Sequence, residues 1–206
     1  MISGNQYIPG EMIVSKSGLS KDTNIWSIDK EKIKGKILKL PGIKDVSLSI
    51  VLPNSISIEI KEYKPVALME IEQHFYPILE NGKILKDEKT ENINISMPIL
   101  KKFEEGEALK EAISQLLKMN LEVKNSISEI IYAPKKTDPF RVVIFMNDGF
   151  EVHATLRTLA DKMKHYPSII SQLDPSKKGI IDLEVGTFFK EYEMAGEEEN
   201  ENETER

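Results

Sequence analysis

The chain has 206 residues, of which 40% are hydrophobic, 30% are charged and none is cysteine. That length suffices for one sizeable core or two modest ones, and the lack of cysteine excludes disulfides, thiolate metal sites and cysteine nucleophiles. The net charge of -6 is unevenly placed, because residues 191–206 hold eight Glu and one Arg. The rest of the chain is therefore close to neutral, which argues against a nucleic-acid binder, since such a protein needs a clustered basic face.

No apolar run in the sequence reaches the roughly 20 residues that a membrane helix needs, and the N-terminus lacks a signal-peptide pattern. The sequence opens abruptly on MISGN, as if it began within a strand. We therefore expect an upstream part of the protein to be absent from this chain.

The first 64 residues predict a β-α-α-β-β unit. Residues 8–19 carry apolar residues at helical spacing, and Asp29 caps a second helix that Gly35 weakens by about 1 kcal/mol relative to Ala. Apolar and polar residues then alternate over 46–52 and 56–60, on either side of a short polar turn. This pattern predicts a hairpin with one buried face, which the two helices can cover.

Residues 65–193 predict a second, mixed α+β unit built on an antiparallel sheet. Strand patterns and turn pairs such as Asn81-Gly82 and Asp148-Gly149 alternate with two helical patterns, the second of which is broken at Pro167. The polar residues 86–96 predict a loop. Residues 194–206 are nearly free of apolar side chains and are predicted to be disordered.

The last strand-like run is GIIDLEVGTFFKEYE at residues 179–193. Ile181, Leu183 and Val185 alternate with Asp182 and Glu184, which predicts one closing strand whose two carboxylates are solvent exposed and titrate normally. A strand at the end of a chain often forms a sheet edge that can pair with a strand of another protein. The aromatic residues after it either extend such an interface or only close the core.

Motifs for catalysis and ligand binding are absent from the sequence. His74, His153 and His165 do not show metal-ligand spacing, no serine lies in a GxSxG elbow, and the glycines match no phosphate-binding loop. The residues therefore predict no catalytic, cofactor-binding or metal site, and we expect a protein that is not an enzyme.

The order of the parts resembles the POTRA domain and the following β domain of the bacterial division proteins DivIB and FtsQ. The first resemblance rests on SGNQYIPGEMI and LSKDTNIWSIDKEKIKGKILKLPGIKDVSLSIVLPNSISIEIKEYKPVALME. The second rests on DGFEVHATLRTLADKMKHYPSIISQL and GIIDLEVGTFF. Together they cover residues 2–192 and imply a POTRA domain at 1–64, a β domain at 65–193 and an acidic tail at 194–206.

This resemblance implies a non-enzymatic scaffold of the division complex that supports septum formation and uses no cofactor. Family members carry a cytoplasmic segment and one transmembrane helix. The chain is therefore expected to be the extracellular region of a single-pass cell-membrane protein at the division septum, anchored through an upstream helix. The implied partners are small division proteins of the FtsL and DivIC (FtsB-like) types, and nucleic acid is not among them.

The resemblance also implies where a partner binds. In FtsQ-type relatives the partner lies beside the last strands of the β domain, by strand addition. Transferred to this sequence, that region gives the candidate residues Ile181, Leu183, Val185, Thr187, Phe188, Phe189 and Tyr192. The POTRA strand predicted at Ile43 to Leu52 offers a second surface.

Two other functions compete with the scaffold. One is a POTRA module for polypeptide binding or transport at a membrane, although such chains carry POTRA repeats or a long barrel, which this sequence lacks. The other is a hydrolase, which needs a convergent polar cluster that the sequence does not show.

Overall fold

The computed structural model describes residues 1–21, 23–86 and 97–192. The acidic tail and nearly all of the predicted polar loop, at 193–206 and 87–96, lie outside the described residues. Within the described ranges the chain forms a three-stranded and an eight-stranded sheet.

The three-stranded sheet is covered on one face by two helices. Its unit consists of β1 (Ile2–Ser3), α1 (Gly10–Ser17), α2 (Lys30–Ile37), β2 (Ile43–Val51) and β3 (Ser55–Glu62). The strand order is β1-β3-β2, with β2 and β3 antiparallel and β1 parallel to β3. The buried core consists of Ile8, Ile13, Ile33, Ile37, Leu40, Ile43, Val46, Ile58 and Ile60. The predicted β-α-α-β-β order and its hairpin are confirmed.

The helix ends in this unit follow from local sequence. Asp29 caps α2, because its Oδ1 accepts the Lys32 N–H over 3.0 Å. Gly18 ends α1 with a φ of 73°, a left-handed conformation that glycine adopts at little cost. The Asp29 cap agrees with the sequence-based prediction.

Glu62 attaches the segment before α1 to the end of β3. Its Oε2 accepts the Tyr7 N–H over 2.8 Å and its Oε1 accepts the Ile8 N–H over 2.9 Å. One carboxylate therefore satisfies two backbone donors that stand next to the buried side chain of Ile8.

The eight-stranded sheet belongs to the second unit. Its strands are β4 (Pro65–Ile71), β5 (His74–Leu79), β6 (Ile99–Lys101), β7 (Ile127–Tyr132), β8 (Arg141–Met146), β9 (Glu151–Thr155), β10 (Gly179–Asp182) and β11 (Phe188–Glu191). Its helices are α3 (Glu107–Lys118), α4 (Leu121–Asn125), α5 (Leu159–Met163) and α6 (Tyr166–Ile170). The strand order is β11-β10-β9-β8-β7-β6-β4-β5.

This sheet is mixed, whereas the sequence predicted an antiparallel one. The pairs β4/β6, β6/β7 and β9/β10 are parallel, and the other neighbours are antiparallel. Helices α3 and α4 connect β6 to β7, and α5 and α6 connect β9 to β10. Parallel neighbours need such crossovers, so the helical connections account for the pairs β6/β7 and β9/β10, whereas the connection from β4 to β6 runs through β5.

The helices of the second unit pack against one face of its sheet. Strands β8 and β9 turn Val142, Ile144, Val152 and Ala154 toward that core and Val143 and His153 toward the other face. A short 3-10 turn precedes α5, and α6 begins one residue before Pro167. The helix is therefore interrupted where proline is predicted to break it.

The predicted boundary at Lys64 falls in the connection between β3 and β4. Two polar contacts join the units near it: Lys44 Nζ lies 2.8 Å from Glu80 Oε1, and Asn81 Nδ2 donates to the Pro41 carbonyl over 3.1 Å. As a boundary between independently folding domains, Lys64 stays a prediction.

Candidate partner-binding edge

The last described segment forms two strands, where the sequence predicted one. Strand β10 ends at Asp182, and β11 returns antiparallel to it. The Asp182 Oδ1 accepts the N–H of Glu184 over 2.8 Å, which bends the chain away from the strand path. Val185 therefore lies in the connection and not in the strand, which corrects the alternation predicted to run through it.

The connection between β10 and β11 is attached to the rest of the unit by a lysine of α5. Lys162 Nζ donates to the carbonyl oxygens of Leu183 and Glu184, the second over 3.1 Å. Because the two carbonyls are neighbours, one ammonium group fixes the start of the connection.

Close backbone approach makes Gly179 necessary for this hairpin. A Cβ at that position would lie 2.1 Å from the carbonyl oxygen of Lys190. Any larger residue would push β11 away from β10.

The seven candidate residues separate into buried and exposed sets. Ile181 is 0% exposed and Leu183 is 2% exposed, so both side chains belong to the core and offer no surface to a partner in this fold. Val185 is 95% exposed and Phe188 is 69% exposed. Thr187 is also exposed.

The remaining two candidates are the aromatic residues Phe189 and Tyr192. The Phe189 ring packs edge to face on Phe150, with 6.2 Å between centroids, and so closes the core. Tyr192 is exposed, and its hydroxyl donates to Glu151 Oε2 over 3.3 Å. Burial raises the pKa of Tyr192, as do the charge and the hydrogen bond of Glu151. Of the two roles expected for the aromatic residues, Phe189 closes the core, whereas the exposed Tyr192 is available to an interface.

The outer edge of β11 offers backbone groups for pairing. The Tyr192 N–H donates to the Lys178 carbonyl over 2.9 Å, so Tyr192 is one of the residues of this segment whose backbone groups point toward β10. Alternate residues therefore turn their N–H and C=O groups outward, and these are Phe189 and Glu191. Nothing in the described part of the chain pairs with them.

The opposite edge of the sheet, at β5, is partly occupied by the chain itself. The Leu79 N–H donates to the Lys83 carbonyl over 2.9 Å, and the Leu85 N–H donates to the Pro77 carbonyl over 3.0 Å. Of the two edges in the described ranges, β11 is thus the more open to strand addition.

An ion-pair network lies beside the hairpin on the helix-free face. Arg141 is only 8% exposed, and its Nε donates to Glu184 Oε1 over 2.5 Å, while Lys135 Nζ lies 3.4 Å from the same oxygen. Burial alone would raise the pKa of Glu184, but the hydrogen bond and charge of Arg141, together with Lys135, lower it. The prediction that Glu184 is solvent exposed and titrates normally is therefore wrong.

His153, Asp182 and Glu184 bring potential metal-ligand atoms within 4.8 Å of one another. Arg141 already occupies this cluster, because its Nη2 lies 3.1 Å from His153 Nδ1 and its Nε binds Glu184. The other ring nitrogen, His153 Nε2, lies 2.6 Å from Glu151 Oε1. The side chains thus form an ion-pair network around an internal cation, and their sequence separation explains why spacing motifs did not reveal it.

Comparisons with known families agree with this architecture. The family described as "POTRA domain, FtsQ-type" matches residues 1–63, and the one described as "Cell division protein FtsQ/DivIB, C-terminal" matches residues 67–184. The second match ends before β11, so the edge strand lies outside it. No helix in the described parts of the chain has the length and apolar character needed to cross a membrane.

Curated relatives match over nearly the whole chain. The cell division protein DivIB of Bacillus subtilis is 42% identical over 205 residues, which is 98% of this chain and 77% of that protein. DivIB of Geobacillus kaustophilus is 38% identical over 98% of this chain and 78% of its own length. DivIB of Listeria monocytogenes is 34% identical over 93% and 71%.

Among solved structures, the major extracytoplasmic domain of DivIB from Geobacillus stearothermophilus is 40% identical. It covers 57% of this chain and 99% of that one, with a TM-score of 0.48. The two family matches together cover both sheets except for β11, and the curated relatives are cell division proteins that share a third or more of the aligned residues with this chain. The chain belongs to the FtsQ/DivIB family of cell division proteins.

Proposed function

We propose that the chain is the extracellular, non-enzymatic scaffold region of a single-pass division protein at the septum, anchored through an upstream helix. Its partners are division proteins of the FtsL and DivIC types. Membership of the division family supports the general role. The observation that carries the specific proposal is the open outer edge of β11, next to the exposed Val185 and Phe188.

Strand addition at this edge would use the outward backbone groups of Phe189 and Glu191. The apolar side chains of Val185 and Phe188 lie before and at the start of the same strand and supply contact area that the backbone alone lacks. Lys190 and Glu191 place charges on the strand, which discourages pairing between copies of the chain.

The test is a titration of the isotopically labelled chain with the extracellular segments of FtsL-like and DivIC-like proteins, followed by amide shifts. We expect the Phe189 and Glu191 amides to shift and to become protected from hydrogen exchange. The proposal fails if binding occurs while the amides of residues 185–192 stay unchanged.

A proline substitution separates backbone pairing from side-chain contact. Glu191→Pro removes an outward N–H and is expected to weaken partner binding, whereas Glu191→Ala keeps the N–H and should preserve it. Lys190→Pro removes an N–H directed at β10 and should open the hairpin itself. Equal affinities of the Pro and Ala variants at residue 191 would contradict strand addition.

A second candidate function is polypeptide binding by the first unit. Strand β2 forms one edge of the three-stranded sheet along its nine residues, Ile43–Val51, and so includes the surface singled out from the sequence except for Leu52. Shifts confined to β2 in the same titration would favour this function over pairing at β11.

A further inference from the structure

The tryptophan of the chain lies exposed on the surface of the first unit. Trp26 is the single Trp in the sequence, stands in the loop between α1 and α2, and is 71% exposed. Its backbone N–H is held by Asn24 Oδ1 over 3.0 Å, while its indole N–H has no acceptor among the described residues. An indole combines a large apolar ring with one donor, so it is best placed where the ring leaves water and the donor stays hydrated.

Exposed lysines precede and follow Trp26 in the sequence, most of them in the two flanking helices. Residues 10–40 contain seven Lys against four Asp or Glu. Lys34 pairs with Asp45 over 3.1 Å, whereas the other six make no ion pair within the described part of the chain. Those six are Lys16, Lys21, Lys30, Lys32, Lys36 and Lys39, and all are exposed.

Three of these lysines form a row along α2 and the turn that follows it. Lys32, Lys36 and Lys39 are four and three residues apart, so they lie on one side of the helix, away from the direction of Lys34. A Cβ on Gly18 would lie 2.9 Å from Lys36 Nζ, which places the row against the end of α1. The last turn of α1 adds Lys16 to the same region.

Apolar side chains are exposed within this basic layer. Val14 is 43% exposed and Leu38 is 39% exposed, in addition to Trp26. Lysine stems can lie along an apolar phase while their ammonium groups stay hydrated. The two helices and the loop that joins them thus carry positive charge, exposed apolar groups and an exposed indole.

We propose that this helical layer of the first unit docks onto the surface of an anionic lipid bilayer. The unpaired lysines complement anionic headgroups, and the Trp26 ring enters the boundary between headgroups and acyl chains, where tryptophan is favoured. Each lysine near such a surface raises the partition coefficient roughly fivefold at moderate salt. The surface is separate from the β11 edge, so it extends the proposed function and does not depend on it.

Trp26 itself reports on the test, because no other tryptophan contributes to the emission. The intact chain is mixed with vesicles of phosphatidylglycerol and phosphatidylcholine, or of phosphatidylcholine alone. We expect a blue shift of the emission and quenching by brominated acyl chains with the anionic vesicles only. Both effects should diminish as salt screens the headgroup charges.

Charge variants test the lysine row. Lys32→Gln, Lys36→Gln and Lys39→Gln combined should lower the partition coefficient about a hundredfold, whereas Arg at the three positions should preserve it. The matched control replaces Lys110, Lys118 and Lys136, three exposed lysines of the second unit, with Gln and should change binding little. Far-ultraviolet circular dichroism checks that each variant is folded.

Four outcomes would overturn the proposal. They are no binding to anionic vesicles, binding without a change in Trp26 emission, equal losses in the two triple variants, or a Trp26 response to the division partners but not to vesicles. The second outcome would indicate general attraction to polyanions, and the last would indicate a protein interface. Failure here leaves the Glu191 experiments unaffected, so the two proposals can be judged separately.

Discussion

At the scale of single residues, Glu62 holds two backbone N–H groups before α1, and its substitution should lower stability through the loss of these bonds. We expect Glu62→Gln to lower the free energy of unfolding by about 1–3 kcal/mol, because an amide nitrogen cannot accept from Tyr7 or Ile8 and leaves one backbone donor unpaired. Urea unfolding measures the loss. Glu59→Gln, on the exposed face of the same strand, should stay within about 0.5 kcal/mol of the parent chain.

Glu184 should make stability depend on pH in the acid range. Its pKa is lowered in the folded chain, so its contribution is fully present above the ordinary glutamate pKa of about 4.3 and is lost as pH falls through the lower folded value. The difference in unfolding free energy between the parent chain and Glu184→Gln should therefore shrink on acidification below about pH 4. A difference that is constant from pH 6 to pH 3 would contradict this assignment.

At the scale of elements, two glycines should respond to the same substitution with opposite signs. Gly179→Ala places a methyl group against the Lys190 carbonyl, so β11 should detach and the Lys190 and Tyr192 amides should lose protection from hydrogen exchange. Gly35→Ala in α2 meets no atom within 4 Å and should raise the stability of the first unit by about 1 kcal/mol. Loss of protection throughout the eight-stranded sheet in Gly179→Ala would show that β11 is integral to the core.

Which elements could be predicted depended on the range of the contacts that define them. The Asp29 cap, the β2/β3 hairpin and the break near Pro167 are determined by neighbours in sequence, and each was predicted. The β10/β11 hairpin was missed, because its connection is held by Lys162 and by the Arg141–Glu184 pair, which spans 43 residues. The local signals that could have indicated the turn are the Asp182 side chain, which bonds two residues ahead, and Gly186 in the connection.

The sequence predicted an open sheet edge near the end of the chain, but only partly which side chains are exposed there. The family resemblance directed attention to the end of the sheet, and β11 is indeed an edge there. Ile181 and Leu183 became candidates through the resemblance, although their alternation with acidic residues already indicated a buried face. Alternation could not tell that β10 is paired on both sides. Which strand is outermost is a property of sheet order, and sheet order is set by contacts remote in sequence.

At the scale of the whole molecule, the junction between the units combines polar contacts with a cavity lined mainly by apolar side chains. The Lys44–Glu80 pair is exposed, and a cavity of about 390 Å³ lies between Ile8, Leu40 and Pro41 of the first unit and Ile84 and Leu85 of the second. Hydrogen bonding and charge from Glu80 raise the pKa of Lys44, yet an exposed pair contributes little to stability. We expect Lys44→Ala to leave the free energy of unfolding unchanged while it increases independent tumbling of the units in NMR relaxation.

The predicted domain boundary at Lys64 can be tested by unfolding a fragment that ends there. A fragment of residues 1–64 contains the complete core of the first unit and should unfold cooperatively on its own, at a midpoint close to that in the intact chain. Noncooperative melting of the fragment would place the boundary elsewhere or make the units interdependent.

Strands β7 to β11 follow one another in space in the order in which they are synthesised. The last strand made is therefore the last added to the growing sheet, and the edge proposed for partners exists only once the domain is finished. A chain interrupted before Phe188 would offer the edge of β10 instead. The outward N–H and C=O groups of that edge lie at other positions, and Phe188 would be missing. A partner that binds by strand addition to β11 would therefore pair with completed chains and not with partial ones.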